Sequence, residues 1–420
     1  MSNDRHRTEW DLRVPTTDQL RDFMEPISLA FAEENTGPQA DDWRKLLEPD
    51  RWLGAFDGPD SDLVAGGATA LSVRLTVPGG EVPAAAITGV GVRPDHRRRG
   101  VLSALMRRQL DDVHAAGEPV AVLWASEGAI YQRFGYGWAA GDGSFEVDPR
   151  RTRYARPFEP EGRVRIVSEE ESGSLIPAVY DAMRAETPGA ISRSDDWWHQ
   201  VLADPEYSRR GASPKFRVVY EADGRAEGYA LYRIKEDWNH LGPQSVMQMS
   251  EAVTTTPRAL RELWRYLFEV DLVRSVRVGR VAVPNPLQHL LAEPRALGLI
   301  ANDGLWARLV DLPAALAARR YGTVDQLVLE ISDDFCEWNA GRWLLRTSGE
   351  PGATVAEVER TDAPVDVVLD TIDLAAIYLG GNTATLLAAA GRIEERTDDA
   401  ARRLGTLFVS ERVPWCVSMF

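Results

Sequence analysis

The sequence predicts a mixed α/β (α+β) chain in three segments, and three observations carry that expectation. Strand-like and helix-like hydrophobic patterns alternate along the chain rather than falling in separate blocks. One strand–turn–helix–strand order, at 87–124, returns at 247–278. At 420 residues the chain is too long for one compact core, which favours two or three domains.

The elements follow in order. Leu12 and Val14 close a first strand, and Thr16, Thr17 and Asp18 supply N-cap chemistry for a helix running toward Ala32. Runs 63–69 and 72–77 read as two strands joined by small residues, and 87–92 as a third. After an arginine-rich loop, Leu102, Leu105, Met106, Leu110 and Val113 form one stripe at the helical period. The continuous apolar run 120–124 suits a buried parallel strand.

Residues 142–162, rich in Arg, Pro and Gly, mark a boundary. Strands are expected at 216–220 and 228–234. A strand at 247–253 leads through Thr254, Thr255, Thr256 and Pro257 into a helix carrying Leu260, Leu263, Trp264 and Leu267, then a strand at 275–278. This repeats the order of the first segment without its arginine and glycine loop, so a second, cofactor-free version of the same fold is expected. In the third segment 309–320 reads as a helix, 326–331, 343–346 and 355–358 as strands, and 374–379, 385–393 and 400–408 as helices. The division expected is 1–145, 146–304 and 305–420.

Composition narrows the function. Hydrophobic content of 44% and charged content of 27% are those of a globular chain, and no apolar run approaches the length of a membrane span. The first thirteen residues are polar, with no stretch suited to a secretory signal, which reads as cytoplasmic. Two cysteines, Cys336 and Cys416, allow at most one bridge, and the six scattered histidines have no ligand spacing, so no metal is expected. A net charge of −16 argues against nucleic acid as a partner. Most of that charge reads as solvated surface, though an acidic chain can also draw a polycation toward itself.

One stretch departs from the acidic trend. Between Arg93 and Arg108 stand six arginines and a single acid, Asp95. The core of it is Val90-Gly91-Val92-Arg93-Pro94-Asp95-His96-Arg97-Arg98-Arg99-Gly100-Val101-Leu102-Ser103. A strand feeds a turn that opens an amphipathic helix, whose first N–H groups and positive dipole end face the loop. Gly100 lets the backbone approach a bulky anion, and the guanidinium groups add charged donors. An isolated RxxG would fit a solvated basic turn. The combination of strand, Pro94, three arginines, glycine and helix fits a pyrophosphate, through neither GxxxxGK[ST] nor GxGxxG.

These residues resemble the acetyl-CoA loop of the GNAT superfamily of N-acetyltransferases. Together with WASEGAIYQRFGYG at 124–137, DGLWARLVDLPAAL at 303–316, YLGG at 378–381 and the terminal Phe420, they resemble the enhanced intracellular survival (Eis) family. That resemblance implies two tandem GNAT acetyltransferase folds followed by a sterol-carrier-protein-like domain, assembled as a homohexamer. It implies an acetyl-CoA-dependent N-acetyltransferase acting on cationic multi-amine acceptors, aminoglycoside-like or lysine-type. By motif, Val90, Gly91 and Val92 would lie along the acetyl and pantetheine arm, with the Val92 N–H polarising the thioester carbonyl. Arg98, Arg99, Gly100, Val101, Leu102 and Ser103 would hold the pyrophosphate, and Ser126 and Glu127 would complete the cofactor contacts.

Acetyl transfer to an amine needs a group to take the ammonium proton and one to protonate the departing thiolate. Tyr131, in a glycine-flanked turn after the strand at 120–124, matches the family's general acid, with Tyr136 a nearby competitor. The resemblance assigns the base to the α-carboxylate of Phe420. Its chemistry is demanding, since ordinary values of about 3.5 and 10.4 differ by roughly 7 units, or about 9 kcal/mol. The carboxylate therefore reads as an anchor as much as a base. Phe31, Glu33 and Trp43 match the family's acceptor pocket, although Phe31 and Trp43 fit a core role equally well. Met419 stands where relatives often carry an acid, which removes a charge from that pocket. A reading from another class is a non-catalytic sensor of acyl-CoA or lipid, motivated by the third segment. Acetylation of protein lysines is a further possibility.

Overall fold

The structure is a computed structural model describing residues 10–34, 36–350 and 353–420. The first nine residues, and Asn35 of the acceptor stretch, lie outside the described residues. In the first segment β1 (Asp11–Arg13) precedes α1 (Leu20–Phe31), α2 (Pro38–Arg44), β2 (Leu53–Phe56), β3 (Val64–Val77) and β4 (Gly80–Val92). Then come α3 (Val101–Ala115), β5 (Val120–Trp124), the short α4 (Gly128–Gln132) and β6 (Gly137–Val147).

The second segment holds β7 (Arg163–Ile166), α5 (Glu169–Arg184), α6 (Asp195–Leu202), α7 (Glu206–Arg209), β8 (Phe216–Ala222) and β9 (Arg225–Lys235). A small hairpin, β10 (Trp238–Asn239) and β11 (Gly242–Pro243), leads to β12 (Ser245–Thr254), α8 (Pro257–Phe268) and β13 (Val273–Val281). The segment ends with α9 (Leu287–Leu290) and β14 (Ile300–Leu309). The third segment begins with α10 (Leu312–Ala318), β15 (Gln326–Ser332), β16 (Gly341–Ser348) and β17 (Val355–Arg360). It continues through β18 (Val367–Asp370), α11 (Thr371–Tyr378), α12 (Ala384–Ala389), β19 (Ile393–Glu395) and α13 (Ala400–Phe408).

One sheet joins the first two segments in the order β1-β2-β3-β4-β5-β14-β6-β13-β12-β9-β8-β7. Strand β14 pairs antiparallel with β5, and β6 pairs antiparallel with β13, so each half lends its last strand to the other. The sequence boundaries 145/146 and 304/305 therefore fall inside exchanged strands. Strand β6 reads GWAAGDGSFEV, whose three glycines and aspartate give no clean alternation, and the stretch passes for a loop when read locally. The third segment forms its own sheet, ordered β17-β16-β15-β18-β19.

The repeated order is real. In the first half β4 and β5 are parallel across α3, and in the second β12 and β13 are parallel across α8. The two helices begin differently. The Thr256 side chain accepts a hydrogen bond from the Ala259 N–H and caps α8, whereas no side chain caps α3. Capping removes free amides from the second copy and leaves them in the first.

Some local expectations are corrected. Runs 63–69 and 72–77 form the single strand β3, because Ala70 and Leu71 continue the ladder with β4. Helix α10 starts at Leu312, since Leu309 ends β14, and α12 stops at Ala389 so that Ile393 can open β19. Residues 142–147 of the expected boundary belong to β6.

Candidate active site

The arginine loop ends at Gly100, whose φ of +87° is costly for any residue with a Cβ. A Cβ there would meet nothing closer than Trp10 Nε1 at 4.0 Å, so the space before α3 is open. The helix presents the amides of Val101, Leu102 and Ser103 without an intrahelical acceptor, and its first turn contains no acid. Arg99 is taken up locally, bonding Asp57 at 2.7 Å and lying over the Trp10 ring. Arg97 and Arg98 are exposed and, among the described residues, have no ion pair. Free amides, open space and two unpaired guanidinium groups fit a diphosphate.

The parallel pairing of β4 with β5 covers only Ala84–Ala86 opposite Val120–Val122. Beyond it the strands part. On the other side of β4 the register with β3 shifts, so that Gly89 and Val90 have no partner there. This bulge, with Gly89 at φ +55°, turns backbone out of the ladder. Ile87, Thr88, Gly89 and Val90 from β4, Trp124 at the end of β5, and Ala125 and Ser126 after it line one cavity of about 1490 Å³.

Tyr131 lines that cavity from α4 and is 7% exposed. Its ring packs edge-on against Tyr136 at 6.0 Å, and its carbonyl accepts from the N–H groups of Phe134 and Tyr136. Burial pushes its hydroxyl up to about 12, so the group stays protonated across the neutral range. No hydrogen bond engages that hydroxyl among the described residues. Tyr136, the competitor, is fully buried and does not reach the cavity.

The end of the chain returns to the same place. Residues 415–418 are buried between the first two segments. The Trp415 amide donates to the Pro188 carbonyl at 2.9 Å, and the Trp124 indole donates to the Ser418 carbonyl at 2.9 Å. The Ser418 hydroxyl meets Tyr180 and Arg193, both at 2.9 Å. Arg193 in turn forms a bidentate pair with Glu251 at 3.0 and 2.7 Å, with side chains 1% and 8% exposed. Breaking a buried pair from one side costs about 3–5 kcal/mol, so the tail rests on a firm support. Phe420 packs its ring against Trp197 at 6.5 Å and lines the cavity beside Met419.

Of the residues singled out in the sequence, Phe31, Glu33, Trp43, Val90, Ser126, Tyr131 and Phe420 share this cavity. Phe31 is 48% exposed and Trp43 half-buried, stacked edge-on against Trp52. Gly91, Val92, Arg98, Arg99, Gly100, Val101, Leu102, Ser103 and Glu127 do not line it. Val92 sits opposite Gly66 in the ladder rather than on the bulge.

The chain has known relatives along its whole length. Two acetyltransferase (GNAT) domain profiles match residues 11–139 and 189–309, and a sterol carrier protein domain profile matches 312–417. An uncharacterised N-acetyltransferase of Streptomyces avermitilis is 40% identical over 408 residues, covering 96% of this chain and 98% of its own. The N-acetyltransferase Eis of Mycobacterium tuberculosis is 36% identical over 409 residues, covering 94% of this chain and 96% of its own. The chain belongs to the Eis family of GNAT N-acetyltransferases. The crystal structure of Eis1 from Mycobacterium abscessus is similar throughout, with a TM-score of 0.81 at 32% identity, covering 98% of this chain and 100% of that one.

This Eis-family protein is thus an N-acetyltransferase of two GNAT domains and a sterol-carrier-like domain, and the binding-only reading is set aside. GNAT acetyltransferases use acetyl-CoA, and the open, uncapped start of α3 suits its diphosphate. Among the described residues no helix is long and apolar enough to cross a membrane, and no three His, Cys, Asp or Glu side chains are grouped to hold a metal. Both cysteines are buried and free. Sequence reasoning missed the second-domain wall of the cavity, where His199, Arg210, Lys215 and Arg233 lie. A compositional signal was available there, because Lys215 is one of only three lysines in the chain.

Proposed function

We propose that the enzyme transfers acetyl from acetyl-CoA to an amine of a cationic multi-amine acceptor, aminoglycoside-like or lysine-type, inside the cavity shared by Tyr131 and Phe420. That sharing is the observation that carries the reading. Residues 1–145 bind acetyl-CoA, 146–304 form a second fold without the cofactor loop, and 305–420 deliver the terminal carboxylate. A cytoplasmic homohexamer is part of the same proposal.

When bound, acetyl-CoA supplies an activated acetyl group. Arg98 and the amides at Gly100, Val101, Leu102 and Ser103 hold its diphosphate, with Arg97 free to join them and Arg99 reaching it only by leaving Asp57, while Val90, Gly91, Val92, Ser126 and Glu127 flank the arm. The bulge suggests that the polarising N–H comes from Val90 rather than Val92. Phe31, Glu33 and Trp43 hold the acceptor, with Glu33 for an ammonium and Trp43 as an aromatic face. The Phe420 carboxylate orients the amine and accepts its proton. Tyr131 donates to the departing sulfur. With the hydroxyl near 12 and a thiol near 8.5, full transfer is uphill by about 3.5 units, roughly 5 kcal/mol. Tyr131 therefore acts first as a hydrogen-bond donor.

The test is thiol release from acetyl-CoA across a panel of amines, with the acetylated product identified by mass spectrometry. Absence of release with every amine overturns the proposal. The pH profile adds a sharper check. Because the Tyr131 value is raised, its protonated form persists past the usual tyrosine range and is lost only near 12. The expected kcat/KM rises as the amine deprotonates and shows no decline below about pH 11. A fall centred near pH 10, absent from a Tyr131→Phe control, contradicts the assignment.

A further inference from the structure

The second-segment wall of the cavity carries cations that the function proposed above does not use. Arg210, Lys215 and Arg233 line it beside the acid Asp196, in a chain whose net charge is −16, while Glu33, Glu34 and Asp42 line the first-segment side. Asp204 is already claimed, by Arg209 at 2.9 Å and Arg233 at 2.5 Å. Arg210 has no ion pair among the described residues and lines both the main cavity and an adjoining pocket of about 430 Å³.

Lys215 is half-buried and has no carboxylate partner among the described residues. Its ammonium donates to the carbonyls of Val201 and Ala203, at 2.6 and 2.5 Å, leaving one of three N–H donors unused at a cavity wall. Burial, with Arg233 and Arg217 nearby, holds this ammonium down at about 8. An unpaired cation in such surroundings gains by taking an anion. A cationic cluster is usually a solvated face. This one lines the cavity that also contains Tyr131 and Phe420, whereas Glu33, on the α1 side, has no ion pair among the described residues.

We propose that the acceptor carries, besides its reactive amine, an anionic group that seats against Arg210 and Lys215. This rests on the function proposed above and narrows it to the lysine-type branch, an amine at one end and a carboxylate or phosphate at the other.

The test uses ω-amino acceptors of matched length, from four to eight carbons, ending in methyl, carboxylate or phosphate. Thiol release gives kcat/KM for the full-length enzyme, for Arg210→Gln, and for the Arg210→Gln/Lys215→Met pair. Arg210 is exposed, so its variant tests the proposal even if the pair folds poorly. At its best length, one anionic series is expected to exceed the methyl series by roughly tenfold, and that ratio should shrink in both variants. Preference for carboxylate or for phosphate identifies the anion, and either supports the proposal. Equal or better turnover of the methyl series, or a preference that survives in both variants, overturns it while leaving the acetyltransferase reading intact. Silence with this series, when the amine panel above gives release, overturns this proposal alone, and silence with both overturns both.

Discussion

Tyr131→Phe is expected to lower kcat by about 10²–10⁴-fold while leaving acetyl-CoA affinity within about twofold. The substitution removes one oxygen that bonds nothing among the described residues, so the ring keeps its packing against Tyr136 and the short helix α4 keeps its place. What is lost is a protonated donor at the cavity wall, held in that state by burial. Because the interaction strengthens only as charge develops on sulfur, the loss belongs to kcat rather than to binding. Steady-state kinetics with calorimetric measurement of acetyl-CoA binding separates the two. A variant with unchanged kcat removes Tyr131 from the chemistry.

The second large effect is expected at the other end of the chain. Appending three small residues after Phe420 displaces the terminal carboxylate, and kcat should fall by about 10²-fold or more. The tail is anchored upstream, at Trp415 and Ser418, so the extension leaves the support in place. The start of α3 lies elsewhere, and cofactor binding should persist. Thermal unfolding of the extended protein provides the control, because a shift of many degrees would mean that the tail had been dislodged rather than lengthened. Undiminished turnover in a stably folded extension takes the carboxylate out of the mechanism.

Much of this site is local and therefore readable. The strand, Pro94, three arginines, Gly100 and the stripe of α3 fall within a few turns of chain, and each has a physical signature of its own. Strand β5 shows as an unbroken apolar run because it is covered on both faces. Tyr131 and Phe420 are different. Their placement in one cavity depends on a fold that brings residues nearly three hundred positions apart together, and only the family resemblance pointed to it. The exchange of β6 and β14 was hidden for the same reason. Pairing between distant strands leaves no periodicity in either, and glycine-rich β6 mimics a loop. The bulge that sets Val90 on the cavity leaves no mark in motif spacing. The wall carrying Arg210 and Lys215 comes from elements of the second segment that, read as sequence, had no reason to meet the first.

Every step proposed for this enzyme depends on the site between the arginine loop and the parted strands. A crystal structure with coenzyme A bound tests it most directly. The diphosphate should lie within hydrogen-bond reach of the amides at 101–103 and of the guanidinium groups of Arg97 or Arg98, with the thiol in the cavity beside Tyr131. Coenzyme A seated in the second segment, or with its thiol remote from Tyr131, would contradict it.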